Sequence, residues 1–147
     1  MRWIPLLLVC AACIVGTAHA ADTPQFRGPD RDGIFVDTGL MKSWPAGGPP
    51  QAWVVTGIGA GFSAVAVVGD TIYTSGMKDD QQGVVSVIDV DGTITKQAMY
   101  GKETDNKQAP GARSTPTIDG DRLYILSALG GLPCFQLPDF KQLWHVD

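Results

Sequence analysis

One stretch decides the fold of this chain: SAVAVVGDTIY, residues Ser63–Tyr73, which returns 51 residues later as STPTIDGDRLY, Ser114–Tyr124. Serine opens both copies, Gly-Asp stands inside both, and a hydrophobic residue followed by tyrosine closes both. An offset that stays constant over eleven residues marks a repeated structural unit. Each copy predicts a β-hairpin with a two-residue Gly-Asp turn, because glycine readily adopts the positive φ that such turns require.

Each hairpin predicts the first half of a four-stranded antiparallel unit. The predicted strands are Ser63–Val68, Thr71–Ser75, Val84–Ile88 and Thr93–Thr95, then Thr115–Ile118, Arg122–Ser127, Leu132–Gln136 and Gln142–Val146. Four antiparallel strands in a repeat of this length are typical of a β-propeller blade. We therefore predict a partial β-propeller over residues 51–147, with blades at about 51–100 and 101–147. The alternative is a sandwich whose hairpins resemble each other by chance, which the constant offset disfavours.

The composition favours the same all-β, turn-rich class. Every acidic residue except Glu103 is an aspartate, and the chain has 18 glycines and 10 prolines. Aspartate, glycine and proline prefer turns, whereas glutamate prefers helices. The net charge is −4 and lysine and arginine are not clustered, so we expect no nucleic-acid partner.

Residues 1–20 have the pattern of a secretory signal peptide. Arg2 precedes an apolar run from Trp3 to Val15, and Ala18-His19-Ala20 provides a small-x-small cleavage site. The run is shorter than the roughly 20 residues of a membrane-spanning helix. We expect export to the periplasm or the exterior, with membrane contact only through this segment. The alternative is a lipoprotein signal at Cys10 or Cys13, whose flanking residues fit that pattern poorly.

Residues 21–50 predict an irregular lead-in to the blades. Asp30–Gly33 and Ala46–Pro50 carry turn residues, and Ile34–Val36 predicts one short strand.

The lead-in and the blades together resemble a known family. The segment PQFRGPDRDG, Pro24–Gly33, resembles the start of exported PQQ-like (quinoprotein-like) β-propeller repeat proteins. The blade ends at Ile88–Gly92 and Lys141–Trp144 are similar to the segments that close the blades of that family. The resemblance implies antiparallel four-stranded blades of a PQQ-like or WD-like propeller. The chain departs from it at Thr95–Gln97, where the closing tryptophan of the first blade is expected, and at Gln136, which replaces the aspartate found at Asp89.

The length predicts an incomplete propeller, the N-terminal portion of a longer one. A closed propeller needs roughly four to eight blades, and residues 21–147 hold about two. Because each blade covers its neighbour, we expect an open sheet face at each end of the stack. Such faces predict marginal stability or self-association.

The sequence lacks the residue types that a PQQ site or a calcium loop needs. The dehydrogenases that this fold resembles hold PQQ with adjacent cysteines, a tryptophan and calcium, whereas residues 21–147 contain only Cys134. We therefore expect no PQQ and interpret Cys134 as a buried apolar residue. Asp30–Gly33 and Asp89–Gly92 resemble the start of a calcium loop, but the twelfth positions are Met41 and Tyr100 instead of glutamate. We interpret these aspartates as Asx-turn residues.

Catalytic residues are not expected either. His145 is the one histidine outside the predicted signal peptide, and no nucleophile-elbow motif is present. The recurrence of serine at Ser63 and Ser114 favours a role in turns or packing. Arg113 and the polar loop Gly101–Ala112 are left open as a solvated loop or a partner contact.

We therefore expect an exported, non-enzymatic propeller scaffold or protein-interaction module that binds protein partners, or itself, through blade rims or exposed faces. The alternative is the N-terminal fragment of a quinoprotein-type oxidoreductase whose active site lies in further blades. A third possibility is a truncated product without a function. The sequence indicates no particular partner or ligand.

Overall fold

Eight strands form two four-stranded antiparallel sheets in the computed structural model, which describes residues 21–147. Blade 1 contains β1 (Ala66–Val68), β2 (Thr71–Met77), β3 (Gln82–Asp89) and β4 (Ile94–Lys102), and blade 2 contains β5 (Thr117–Asp119), β6 (Arg122–Tyr124), β7 (Leu132–Gln136) and β8 (Lys141–Val146). Each strand pairs with its sequence neighbour in the orders β1-β2-β3-β4 and β5-β6-β7-β8. The predicted all-β class and its two blade-like units are confirmed, and over residues 21–147 the two sheets do not close into a propeller.

The predicted signal peptide, residues 1–20, lies outside the described residues. Within residues 21–147, no helix is long and apolar enough to cross a bilayer.

The two Gly-Asp turns form as predicted. Val68 pairs with Thr71 across the first, and Asp119 pairs with Arg122 across the second. The glycines, Gly69 and Gly120, have φ angles of 55° and 57°. The repeated motif is therefore the hairpin of the first two strands of each blade.

The repeat offset shortens in the second half of each blade. Thr71 pairs with Asp89 in blade 1, and its counterpart Arg122 pairs with Gln136 in blade 2, so that the third strands lie 47 residues apart. The cause is that β2 continues to Met77 and is followed by a short 3₁₀ helix, Asp79–Gln81, whereas β6 ends at Tyr124. This register confirms that Gln136 occupies the position of Asp89.

Several strand ends differ from the prediction, each for its own reason. Strand β1 begins at Ala66, and the preceding Ala64 N–H donates to Thr115 Oγ1 of blade 2 instead. Strand β6 ends at Tyr124, and Ser127 N–H donates to the carbonyl of Gly131 within a turn. Strand β4 extends well beyond Thr95, to Lys102, because β3 stays paired with it.

The predicted short strand Ile34–Val36 does not form. The Ile34 N–H donates to Asp32 Oδ1 in a local turn, at 2.8 Å, and no neighbouring strand pairs with the segment. Its side chains are exposed, so it lacks the packing that would stabilise a strand.

The hydrophobic core lies between the two blades. Tyr73, Val85 and Val87 of blade 1 belong to the same buried cluster as Leu123 and Phe135 of blade 2. Leu123 is fully buried there. Each blade thus contributes one face to a shared core, as expected for stacked repeats.

Residues 51–62 cover most of the other face of blade 1, so the predicted fully open face at this end is wrong, and Met99 on β4 stays exposed at its edge. Trp53 Nε1 donates to the Val90 carbonyl at 2.9 Å, and Gln97 Nε2 donates to the Gly57 carbonyl at 3.0 Å. Ala60 and Met77 exchange two backbone hydrogen bonds. The covered residues of the sheet, which include Thr74, Val84, Ser86 and Ile88, are buried. We call residues 51–62 the cover segment.

The start of the lead-in joins the inner edges of both blades. Thr23 pairs with Val67 of β1, and the Pro24 carbonyl accepts a hydrogen bond from Ile118 N–H of β5 at 2.8 Å. Asp22 Oδ1 accepts from Gly69 N–H at the first hairpin turn.

The far face of blade 2 is exposed along its outer strand β8, while Cys134 in the neighbouring strand is buried beneath its neighbours. Tyr124, Cys134 and Trp144 are neighbours across β6, β7 and β8, so their side chains share this face, and Leu132 and Val146 form the next pair on it. The rings of Tyr124 and Trp144 lie 5.9 Å apart, while Trp144 is 39% and Val146 58% exposed. We call these five residues the open face.

Candidate functional site

Three serines meet at the seam between the blades, and two of them open the copies of the repeated motif. Ser63 precedes β1, Ser75 lies on β2, and Ser114 precedes β5. The hydroxyls of Ser63 and Ser75 lie 3.0 and 2.7 Å from the Ser114 carbonyl, to which both can donate. Both serines at the repeated position therefore take part in binding one blade to the other, Ser63 through its side chain and Ser114 through its backbone.

The one glutamate of the chain, Glu103, is buried at the same seam. It follows β4 at the start of the polar loop and is 1% exposed. The Tyr100 hydroxyl donates to Glu103 Oε1, and the Ala128 N–H of blade 2 donates to Glu103 Oε2 at 3.2 Å. Within residues 21–147, no basic side chain forms an ion pair with it. Both carboxylate oxygens are thus held by donors, as a buried charge requires.

The same environment holds Tyr100 in its neutral form. Burial raises the pKa of the Tyr100 hydroxyl most, and the hydrogen bond to Glu103 and the negative charge of that carboxylate raise this pKa further. Tyr100 therefore acts as a hydrogen-bond donor over the whole physiological pH range.

A cleft of about 410 Å³ opens beside Glu103 between the two blades. Its walls include Arg113, Leu126 and Ser127. Arg113 Nη2 donates to the Ala109 carbonyl at 2.6 Å, which fastens the loop Gly101–Ala112 at this point. Ser127 is 5% exposed and is held by its backbone N–H, which donates to the Gly131 carbonyl. Both oxygens of Glu103 accept hydrogen bonds from the protein itself.

The other sequence candidates lie apart from this cleft and make local contacts. Asp91 Oδ1 accepts from both the N–H and the hydroxyl of Thr93, and Asp89 Oδ1 accepts from the same N–H. The Thr93 hydroxyl is the main cause that lowers the pKa of Asp91. Asp32 likewise accepts from Ile34 N–H. These are the bonds that the Asx-turn interpretation predicts. Residues 21–147 contain no group of three or more metal-binding side chains close enough to hold an ion.

His145 lies on β8 and contacts a carboxylate two residues away. Its Nε2 is 2.8 Å from Asp147 Oδ1, and this pair is solvent-accessible. Across residues 21–147, no hydrogen bond joins His145 to a serine or to Cys134. Cys134 is completely buried on the open-face side of β7, which confirms its interpretation as an apolar residue.

The glutamate site was not found from the sequence. Glu103 stands in a run of polar residues, where a charged side chain is usually solvated. Two features could have indicated it: it is the single glutamate among many aspartates, and Tyr100 precedes it by three residues.

No protein-family model matches this sequence, and no curated protein matches it.

Proposed function

We propose that this protein is an exported, non-enzymatic scaffold of PQQ-like β-propeller repeats that binds a protein through the open face of blade 2. The observation that carries the proposal is this face, where Trp144 and Val146 are exposed and no element within residues 21–147 covers them. Exposed apolar patches rimmed by polar residues are typical of interaction surfaces. Trp and Tyr in such a patch are the residues that most often dominate binding energy.

The hydrogen bonds of the polar side chains in and beside the blades support a scaffold. The Ser63 and Ser75 hydroxyls bind a backbone carbonyl across the seam, and Asp89 and Asp91 bind Thr93 within a turn. Glu103 fastens one blade to the other through Ala128. These polar groups therefore maintain the stack, and the surface that remains for a partner is apolar.

Site-specific photo-crosslinking in the native host tests the proposal. A benzophenone amino acid replaces Trp144 in the full chain, and the matched control carries it at Met99, an exposed apolar residue on the outer strand of blade 1. We expect a discrete adduct from position 144, identified by mass spectrometry, that is at least about tenfold weaker from position 99.

Two results would overturn the proposal: no adduct from position 144, or adducts of equal yield from both positions. Mass spectrometry of the purified chain, which should begin at Ala21, tests export in the same preparation.

A further inference from the structure

Blade 1 carries a lysine at the register position where blade 2 carries a tryptophan. Lys96 of β4 pairs with Val87 of β3. In blade 2, Trp144 of β8 pairs with Cys134 of β7. The partners of both residues pair in turn with the two tyrosines of the repeated motif, so the lysine and the tryptophan hold equivalent positions. The Trp144 ring lies 5.9 Å from Tyr124 of its own sheet, whereas the Lys96 side chain reaches the other sheet.

The Lys96 ammonium contacts the turn of blade 2 that joins β7 to β8, residues 137–140, which we call the β7–β8 turn. Its Nζ donates to the Pro138 carbonyl at 3.1 Å and to the Asp139 carbonyl at 2.8 Å. It also lies 5.6 Å from the centre of the Phe140 ring, within the roughly 6 Å of a cation–π contact. Both acceptors are backbone oxygens, so the lysine binds to the backbone conformation of this turn and to its aromatic ring.

The backbone of Phe140 indicates that its ring is needed in this contact. Its φ is 58°, in the left-handed region that bulky side chains rarely adopt. The corresponding turn of blade 1 uses a glycine, Gly92, for its residue of positive φ, which is 88°. Backbone strain of this kind persists only where the surrounding contacts compensate for it. The Phe140 ring has two such contacts, with Lys96 and with the core residue Phe135, whose ring centre is 5.9 Å away.

We propose that Lys96 and the β7–β8 turn form a recognition pair that determines how blade 2 docks on blade 1. The shared core attracts the blades by apolar burial, which is not directional. The two hydrogen bonds of the ammonium are directional, so they fix the position of the turn against β4. A tryptophan has one N–H donor and no charge, so it cannot make the same set of contacts. This inference does not depend on the proposed function, which uses the opposite face of blade 2.

A double-mutant cycle in urea unfolding of the purified chain tests the inference. Lys96→Met keeps an unbranched side chain and removes the ammonium, so it should raise the unfolding equilibrium constant about three- to tenfold. Phe140→Leu keeps an apolar side chain and removes the aromatic ring. The unfolding constant of the double variant should be about two- to fivefold smaller than the two single effects multiplied, because the cation–π contact is lost only once.

Lys96→Trp copies the residue of blade 2 and separates recognition of the turn from simple coverage of the core. We expect it to raise the unfolding constant about as much as Lys96→Met does, because the carbonyls of Pro138 and Asp139 lose their charged donor. The matched control is Lys42→Met, at an exposed lysine of the lead-in, and it should leave the unfolding constant unchanged.

Circular dichroism verifies that the variants fold, and Lys96 is exposed enough for the fold to tolerate both substitutions. Wild-type stability of Lys96→Met or of Lys96→Trp would overturn the inference, because this position would then need no ammonium. Strictly multiplicative effects of Lys96→Met and Phe140→Leu would overturn it too, because the ring would then take no part in the recognition.

Discussion

At the scale of single residues, the burial of Glu103 and Tyr100 links the two blades through electrostatics. A carboxylate that leaves water needs donors on its oxygens, and here one comes from Tyr100 of its own blade and one from the backbone of the other. The pair therefore makes blade stacking sensitive to the protonation of a tyrosine.

We expect the free energy of unfolding to fall at alkaline pH. The pKa of Tyr100 is raised in the folded state, so this group stabilises the fold fully below its unfolded pKa of about 10. As pH rises above that value, the unfolded chain loses the proton first, and the contribution of Tyr100 declines by at most about 1.4 kcal/mol per pH unit.

Urea unfolding between pH 9 and pH 11 measures this effect, and Tyr100→Phe should flatten the pH dependence. Tyr124→Phe is the matched control, because the Tyr124 ring lies on the open face instead of beside Glu103. Unchanged pH dependence in Tyr100→Phe would contradict the explanation.

The residue roles could be predicted from the sequence only where they are local. The aspartates Asp32, Asp89 and Asp91 bond to groups two to four residues away, so turn chemistry alone predicts their role. The role of Glu103 depends on a hydrogen bond from the N–H of Ala128, which is 25 residues away in the sequence. Its uniqueness as a glutamate and the nearby Tyr100 mark it in the sequence, but neither feature indicates that the backbone of another blade will bury it.

At the scale of elements, the cover segment is fastened to blade 1 by close backbone contact. A Cβ atom on Gly76 of β2 would lie 1.9 Å from the Ile58 carbonyl oxygen. Only glycine therefore permits residues 51–62 to approach the sheet as closely as they do.

Gly76→Ala should displace the cover segment and destabilise the protein by roughly 1–3 kcal/mol, the usual cost of overpacking. Hydrogen exchange followed by mass spectrometry should show loss of protection in residues 51–62. The control is Gly47→Ala, since a Cβ atom at Gly47 meets no atom within 4 Å. Normal protection of residues 51–62 in Gly76→Ala would contradict this account.

The hairpins were predictable because the turn and the flanking strands are adjacent in sequence. Gly69 and Gly120 carry that signal almost alone. The position of the cover segment was not predictable from the sequence, because its contacts with Val90 and Gln97 span 37 and 40 residues. Its apolar residues instead suggested the start of the first blade.

At the scale of the molecule, both blades depend on one core. Leu123 of blade 2 is fully buried in the cluster that also contains Val85 and Val87 of blade 1. Loss of packing on either side should therefore destabilise the whole stack.

We expect Leu123→Ala to lower the free energy of unfolding by about 2–5 kcal/mol while both blades still unfold together. Urea unfolding followed by the fluorescence of either Trp53 or Trp144 alone, with the other tryptophans replaced, reports on each blade. Leu40→Ala is the control because Leu40 is 72% exposed. Separate midpoints for the two tryptophans would show that the blades are independent.

The cover segment also limits how far copies of this chain can assemble. A stacked-repeat protein that is open at both ends can add subunits head to tail and grow into filaments. Because residues 51–62 lie on the outer face of blade 1, a further subunit cannot stack directly on the strands that they cover. The backbone contact at Gly76 that stabilises blade 1 therefore also keeps this part of the sheet from serving as an attachment point for other copies.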